Sequence, residues 1–170
     1  MDFKEVIAQR YSCRKFDETQ ISEDQLQAIL EAGRLAPTAR NLQEQHVYVL
    51  QSEEALALVD EVTPCRYGAP TVLVVAFNVE NVYVYPGGKR DSGIEDATIV
   101  ATHLMLAVKD AGLESCWVNR FDPDELKAKM KLPEHEEILM LLPIGHAAEG
   151  STPSVNHESR KPLSETVSYW

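Results

Sequence analysis

Apolar residues recur along the chain with helical spacing in some stretches and as short unbroken or alternating runs in others. The helical pattern predicts five helices: Lys4–Gln9, a segment from Leu26 to Gly33, Glu53–Val62, Gly93–Ala111 and a segment beginning at Pro123. The other runs predict four strands: His46–Leu50, Thr71–Phe77, Cys116–Val118 and Ile138–Ile144. The Thr71–Phe77 run is rich in β-branched residues, so we expect that strand to be buried on both faces.

Helix starts and stops carry recognisable capping signals. At four positions a Ser or Asp is followed three residues later by Glu or Gln, which is the pattern of a capping box: Asp2, Ser22, Ser92 and Asp122. Gly112 is expected to end the longest helix as its C-cap. Helices open the chain and then mix with strands, which predicts a single layered α+β domain over residues 1–170.

The composition is that of a folded, acidic protein. Of its 170 residues 44% are hydrophobic, and 27 acidic residues against 16 Lys and Arg give a net charge of −11. This negative excess argues against a nucleic-acid or an anionic membrane surface as the partner. The longest apolar run, Ala69–Phe77, is too short to span a bilayer, and the first residues lack the apolar run of a signal peptide.

Several kinds of chemical site are missing from the sequence. Cys13, Cys65 and Cys116 are widely spaced and form no CxxC pair, so neither a zinc site nor a disulfide framework is expected. Reduced thiols of this kind are typical of a cytoplasmic protein. No dinucleotide fingerprint, P-loop, HExxH or nucleophile elbow occurs. We therefore expect no bound metal and no side chain that acts as a nucleophile.

The segment Arg10–Phe16 concentrates three cations and a hydroxyl in this acidic chain. In an extended conformation Arg10, Ser12 and Arg14 project to one side. Two guanidiniums beside a hydroxyl suit a dianionic phosphate, because each Arg offers paired donors. The other interpretation is a solvated basic loop whose cations pair with nearby carboxylates. The residues alone leave both interpretations open.

Several motifs, taken together and in order, resemble the nitroreductase family of flavin enzymes. They are Arg10-x-Ser12-x-Arg14-x-Phe16, Ala36-Pro37-Thr38-Ala39-Arg40-Asn41-Leu42-Gln43, Asp96 at the start of the long helix, Ser115-Cys116-Trp117-Val118 and Arg160-Lys161-Pro162-Leu163. The resemblance spans almost the whole chain. It implies a central, mostly antiparallel sheet flanked by helices, and a C-terminal tail that docks on the partner subunit.

The resemblance also implies flavin mononucleotide (FMN) at the interface of a homodimer. It assigns the flavin phosphate to Arg10, Ser12, Arg14 and Arg160. It brings the segment containing Pro37, Thr38 and Asn41 to the flavin from the other subunit. It places backbone amides of Val118, Asn119 and Arg120 near the N5 edge of the flavin. Without the resemblance, Thr38 and Asn41 would be interpreted as ordinary turn residues.

The activity implied by the resemblance is that of an NAD(P)H-dependent flavin oxidoreductase. A nicotinamide would pass a hydride to flavin N5 and leave, and a small acceptor such as a nitroaromatic or a quinone would then take its place, in a ping-pong mechanism. The flavin carries the chemistry, so no catalytic side chain is assigned. The alternative is a non-catalytic protein that binds flavin or another phosphorylated ligand. A modest segment at about Asn78–Arg90 is available as a lid.

Overall fold

The computed structural model covers residues 1–170 and consists of a four-stranded sheet with helices packed on both faces. In chain order the elements are α1 (Phe3–Gln9), α2 (Glu23–Arg34), β1 (Gln45–Leu50), α3 (Glu53–Val62), β2 (Thr71–Asn78), α4 (Gly93–Asp110), β3 (Glu114–Ser115), α5 (Pro123–Met130), β4 (Glu136–Gly145) and α6 (Leu163–Thr166). None of these helices combines the length and the apolar character needed to cross a membrane. The predicted α+β fold is confirmed.

Strand β2 lies inside the sheet and organises it. The strand order is β1-β2-β4-β3, and every pairing is antiparallel, as predicted. The pairing of β2 with β4 is interrupted by a bulge between Val75 and Ala76 of β2. The seven residues Thr71–Phe77 are all buried, which confirms the expectation drawn from their β-branched run.

Two apolar cores lie on opposite faces of the sheet. On one face Leu104 of α4 belongs to the same buried cluster as Leu73 of β2, and residues of α2 complete that cluster. On the other face Val59 of α3 and Leu126 of α5 cluster with Val74 of β2. Successive residues of β2 therefore point into different cores, and this two-sided burial fixes the register of the strand.

Most of the predicted helix boundaries are present. Asp2 and Ser22 form complete capping boxes. The Asp122 carboxylate caps α5 by accepting from two N–H groups of its first turn, but the predicted box is incomplete because the Glu125 side chain does not accept the Asp122 N–H. Gly112 follows the end of α4 with a φ of +77°. This is the left-handed conformation that glycine adopts most readily, so it ends the helix as expected.

The capping box predicted at Ser92 is wrong. Ser92 has helical backbone angles (φ −92°, ψ −1°) and makes no capping hydrogen bond. Its hydroxyl donates instead to the Asp96 carboxylate at 2.7 Å. The N–H of Gly93, in the first turn of α4, donates to the Asp91 carboxylate at 3.0 Å. Asp91 thus takes the capping role, because a helical residue does not hold its hydroxyl over the first turn.

The strand predicted at Cys116–Val118 is shorter and lies earlier, at Glu114–Ser115. The N–H of Cys116 still donates to the Pro143 carbonyl at 3.1 Å. Pro143 has no N–H to donate in return, so the ladder is broken at this pair. Hydrogen bonding resumes between Val118 and Leu141, which exchange both of their backbone bonds.

A buried carboxylate links the edge strand β1 to the inner strand β4 across β2. The Glu136 carboxylate accepts from the Tyr48 hydroxyl at 2.6 Å and lies 2.8 Å from Nδ1 of His46. The two rings stack with their centroids 4.1 Å apart. Burial raises the pKa of Glu136, but the hydrogen bonds from Tyr48 and His46 outweigh it and hold the pKa below its ordinary value of 4.5.

Replacing Glu136 by Gln should lower the free energy of unfolding by about 1–3 kcal/mol at neutral pH, because charge-assisted hydrogen bonds are lost. The folded-state pKa of Glu136 is depressed, so its stabilisation is complete above pH 4.5 and is lost as the pH falls below that value. The difference between variant and wild type should therefore shrink in acid. Urea unfolding at neutral pH and near pH 4 measures both values.

Glu137→Gln is the matched control, since Glu137 is the exposed neighbour on the same strand. Its effect should stay within about 0.5 kcal/mol. A difference for Glu136→Gln that does not change with pH would show that the charge of this carboxylate is not what stabilises the sheet.

Candidate functional site

The Arg10–Phe16 segment leaves α1 in an extended conformation. Ser12 forms a parallel bridge with Ser115, and the N–H of Cys13 donates to the Ser115 carbonyl at 2.9 Å. Tyr11 and Cys13 are buried, whereas Arg14 is exposed and Ser12 is half-buried. Alternate side chains of an extended segment point to opposite sides, so the buried residues orient the polar ones outward.

The C-terminal segment returns to this stretch and encloses a cavity with it. The N–H of Ala148 donates to the Lys15 carbonyl at 3.0 Å, and the Ser151 hydroxyl lies 3.3 Å from Sγ of Cys13. The cavity has a volume of about 200 Å³ and is lined by Arg10, Tyr11, Ser12, Arg14, Ser154, Asn156, His157 and Arg160. The structure thus brings together all four residues that the resemblance assigns to the flavin phosphate.

The cations of this cavity are not neutralised by carboxylates. Arg10 and Arg14 take part in none of the ion pairs of the chain, although it contains 27 acidic residues. Arg160 donates only to the carbonyls of His157 and Ser159. The structure therefore does not show a basic loop paired with nearby carboxylates. It shows converging guanidiniums that can accept an anion.

A polar cluster that the sequence did not point to lies close to Arg14. Burial raises the pKa of the Cys65 thiol, but hydrogen bonds from Tyr67 and Thr63 and the charges of Arg120 and Arg14 outweigh it, so the pKa is lowered overall. The Thr63 hydroxyl also donates to the Arg120 carbonyl at 2.7 Å. Arg14 and Arg120, distant in sequence, therefore act on the same thiol.

The segment Val118–Arg120 presents backbone donors, though not from every residue. The N–H of Val118 donates to the Leu141 carbonyl at 2.9 Å, so this amide is not available to a ligand, contrary to our expectation. The N–H groups of Asn119 and Arg120 have no acceptor within the chain. The Asn119 side chain donates to the Leu139 carbonyl at 3.0 Å. Val118 and the Asn119 side chain thus anchor the segment, and two free N–H groups follow.

The predicted residues Pro37, Thr38 and Asn41 lie in a strained loop between α2 and β1. Three non-glycine residues in this loop have left-handed backbone angles: Arg40, Asn41 and Gln43, with φ of 54°, 58° and 56°. Left-handed residues of this kind cluster at functional sites, where the surrounding structure holds them.

Hydrogen bonds hold the loop in this conformation. The Thr38 hydroxyl accepts the N–H of Gln43 at 3.1 Å. The Asp96 carboxylate of α4 accepts the N–H of Ala39 at 2.8 Å. Asp96 thus fixes the loop to the first turn of α4.

Helix α4 separates the two groups of candidate residues. The loop is attached at the start of α4 through Asp96, whereas the Arg10–Arg14 segment pairs with Ser115, just beyond the other end of the helix. An 18-residue helix is about 27 Å long. One chain therefore does not bring both groups to a single small ligand.

The structure adds site residues that sequence reasoning missed. Asn156 and His157 line the cavity from the tail, and Tyr67 and Cys65 lie near Arg14. No motif marks the two tail residues. They reach the cavity only because the C-terminal segment folds back against the Arg10–Phe16 segment. Tyr67 is not marked by a motif either; it precedes Gly68 between α3 and β2 and has a left-handed φ of +57°.

Comparison with known proteins agrees with this architecture. The model of the nitroreductase family matches residues 7–64 and 63–146. A nitroreductase family protein from Clostridium difficile 630 superposes with a TM-score of 0.92, at 32% identity over 99% of this chain and 98% of that one. An NADH dehydrogenase from Thermus thermophilus is 27% identical over 98% of this chain and 95% of its own. An FMN-dependent nitroreductase from Clostridium difficile R20291 shares the fold at a TM-score of 0.79 and 24% identity, over 98% of each chain.

An antiparallel four-stranded sheet covered by helices on both faces defines an α+β protein with the nitroreductase fold. The match to the family model covers most of the chain, and a solved member of the family is 32% identical over nearly its full length. The chain belongs to the nitroreductase family, as its motifs predicted.

Proposed function

We propose that the protein is an FMN-dependent oxidoreductase that takes electrons from NAD(P)H and gives them to a small acceptor such as a nitroaromatic or a quinone. The observation that carries this proposal is the convergence of Arg10, Ser12, Arg14 and Arg160 on one cavity. The names of two relatives, an NADH dehydrogenase and an FMN-dependent nitroreductase, agree with it. When bound, the flavin supplies the redox chemistry, reacting with donor and acceptor in turn by a ping-pong mechanism.

The cavity beside Arg14 fits the phosphate end of FMN. Arg10 and Arg14 offer forked pairs of N–H donors without a competing carboxylate, and Ser12 offers a hydroxyl between them. Arg160 approaches from the tail. These groups would bind the phosphate by charge-assisted hydrogen bonds, which are stronger than bonds between neutral groups. The chain carries a net charge of −11, so most of its surface repels a phosphate. A cavity lined by cations without carboxylate partners attracts it instead.

Backbone donors and one further cation serve the ring end of the cofactor in this proposal. The unpaired N–H groups of Asn119 and Arg120 are assigned to polar atoms at the flavin edge. The guanidinium of Arg120 forms no ion pair, so its charge is available to stabilise the negative charge that the cofactor gains on reduction. No side chain has to act as a nucleophile.

A homodimer completes the proposed site. The length of α4 keeps Thr38 and Asn41 away from the Arg10–Arg14 segment, so a second chain has to supply them to the same flavin. The tail ends in large apolar side chains that the chain itself leaves open, with exposures of 76% at Leu163, 95% at Tyr169 and 115% at Trp170. Burial of each of these side chains against a partner would contribute about 1.5–3 kcal/mol to the stability of the dimer.

We propose a single domain that works in the cytoplasm, where its three free cysteines stay reduced.

Anaerobic spectroscopy of the purified protein tests the function. The protein should be yellow, its flavin absorbance should bleach when NADH or NADPH is added, and a quinone should restore it. A yellow protein that bleaches with dithionite but with neither nucleotide would contradict the proposal. That result would favour the alternative, a non-catalytic flavin-binding protein.

Arg14→Ala should weaken FMN binding by about 1.5–3 kcal/mol, the usual contribution of a hydrogen bond to a charged group. Riboflavin lacks the phosphate, so its affinity should barely change. Titration calorimetry of the flavin-free protein with both ligands gives the two values. Arg34→Ala is the control, because the Arg34 side chain is exposed at the end of α2 and pairs with Glu31. Equal losses for FMN and riboflavin would place Arg14 away from the phosphate.

Deletion of residues 163–170 should loosen the dimer and release the flavin together, because the tail supplies apolar contacts to the partner while Arg160 is retained. Light scattering after size-exclusion chromatography reports the mass, and fluorescence of free flavin reports its release. The full-length double variant L163S/W170S should show the same defects if apolar contact, and not chain length, is responsible. A truncated monomer that holds FMN at full affinity would contradict the shared site.

A further inference from the structure

The segment between β2 and α4 folds back on itself as a hairpin, which we call the 83–92 hairpin. Val84 and Asp91 form an antiparallel bridge. The N–H of Tyr85 donates to the Arg90 carbonyl, and the N–H of Ser92 donates to the Tyr83 carbonyl, each at 2.9 Å. The stretch that the sequence offered as a lid is therefore a small ordered unit attached to the start of α4.

The hairpin carries a second cationic cavity. It has a volume of about 380 Å³ and is lined by Tyr85, Pro86, Lys89, Arg90 and Glu95. Lys89 and Arg90 form no ion pair within the chain. The Tyr85 hydroxyl donates to the Glu95 carboxylate, which fixes the ring at the cavity wall. The cavity thus combines two free cations, an aromatic ring and a carboxylate acceptor.

The hairpin lies beside the loop assigned to the flavin. The Arg40 guanidinium sits 5.7 Å from the centre of the Tyr83 ring. Tyr83 in turn meets Tyr85 edge to face, with ring centroids 5.6 Å apart. Contacts therefore lead from the strained loop through Tyr83 to Tyr85 and the cavity. A ligand whose one end reaches the flavin can extend along this line to Lys89 and Arg90.

The remaining cavity of the chain has the opposite electrostatic character. It has a volume of about 380 Å³ and lies beside α3, where Glu18, Glu53 and Asp60 line it, and its only cation, Arg66, is already paired with Asp60. An anionic ligand is repelled there. Since the Arg10–Arg14 cavity is assigned to FMN, the hairpin cavity is the one left for a second phosphorylated ligand.

We propose that the hairpin cavity binds the adenosine 2′-phosphate of NADPH, so that the enzyme prefers NADPH to NADH. This rests on the proposed function, in which a nicotinamide nucleotide is the electron donor. The 2′-phosphate is a terminal phosphomonoester, which suits the forked donors of Arg90 and the compact charge of Lys89. The Tyr85 ring offers a face to the adenine, and Glu95 accepts from a ribose hydroxyl. NADH lacks the phosphate and makes none of its contacts.

The binding test uses the FMN-loaded enzyme, so that the Arg10–Arg14 cavity is already filled. Titration calorimetry compares adenosine 2′,5′-bisphosphate with adenosine 5′-monophosphate and with inorganic phosphate. The bisphosphate should bind more tightly than either of the others. In K89Q/R90Q its affinity should fall roughly tenfold to a hundredfold, the effect of losing a hydrogen bond to a charged group. The control K4Q/K131Q has the same net charge and should bind like the wild type.

Three results would overturn the proposal. They are equal affinities of the wild type for the bisphosphate and the monophosphate, equal affinities for the bisphosphate and inorganic phosphate, or a loss of bisphosphate affinity in K4Q/K131Q as large as that in K89Q/R90Q.

Steady-state kinetics gives an independent readout. The KM for NADPH should rise roughly tenfold or more in K89Q/R90Q, while the KM for NADH and both kcat values stay unchanged. If both nucleotides bleach the flavin but K89Q/R90Q binds the bisphosphate normally, this inference fails and the proposed function stands. If the bisphosphate binds at the hairpin but neither nucleotide bleaches the flavin, the proposed function fails.

Discussion

The Asp96 carboxylate holds together the part of the molecule that faces the proposed donor. One oxygen accepts the N–H of Ala39 from the strained loop, and the other accepts the hydroxyl of Ser92. Ser92 Oγ in turn accepts the N–H of Tyr83 at 3.2 Å. Loop, hairpin and helix start therefore meet at one side chain. Each left-handed residue of the loop costs about 1–2 kcal/mol, and these hydrogen bonds, set on a rigid helix, offset part of that cost.

Helix α4 sets the distance between the two groups of candidate residues, and this distance determines how a dimer would have to form the site. Its inner face is fixed by burial against the sheet, where Val100, Ala101 and Leu104 are fully buried. It can neither shorten nor tilt without opening that core. The loop at its start and the Arg10–Arg14 segment beyond its end are therefore held apart. A cofactor that needs both groups has to lie between two chains, which is the physical reason for proposing a dimer.

Local rules predict most of the elements, and the motifs shared with the family predict that Arg10, Ser12, Arg14 and Arg160 come together, as they do around one cavity. Local rules account for three of these features: the capping at Asp2 and Ser22, the burial of β2, and the shared side on which Arg10, Ser12 and Arg14 project. Features set by tertiary contact do not follow. The shift of β3 depends on Pro143 facing Cys116 across the ladder.

The role of Ser92 depends on a hairpin that no periodicity reveals. The clustering of Cys65 with Arg14 and Arg120 needs three distant segments to meet, and no spacing in the sequence encodes that. Local rules thus predict the parts of the site, and tertiary packing decides which of them meet.

Charge placement links these observations to the proposed chemistry. An acidic surface repels free phosphates, so binding is confined to the places where cations gather without carboxylate partners. The chain provides two such cavities, one closed by the tail through Arg160 and one carried by the hairpin through Lys89 and Arg90. The hairpin lies outside the sheet and the Arg10–Arg14 segment lies at its edge beside β3, whereas the ring end of the proposed flavin site rests on Val118, which is hydrogen-bonded to the inner strand β4. In the proposed function the rigid sheet would thus position the reacting end of the cofactor, and the peripheral segments would bind the phosphates.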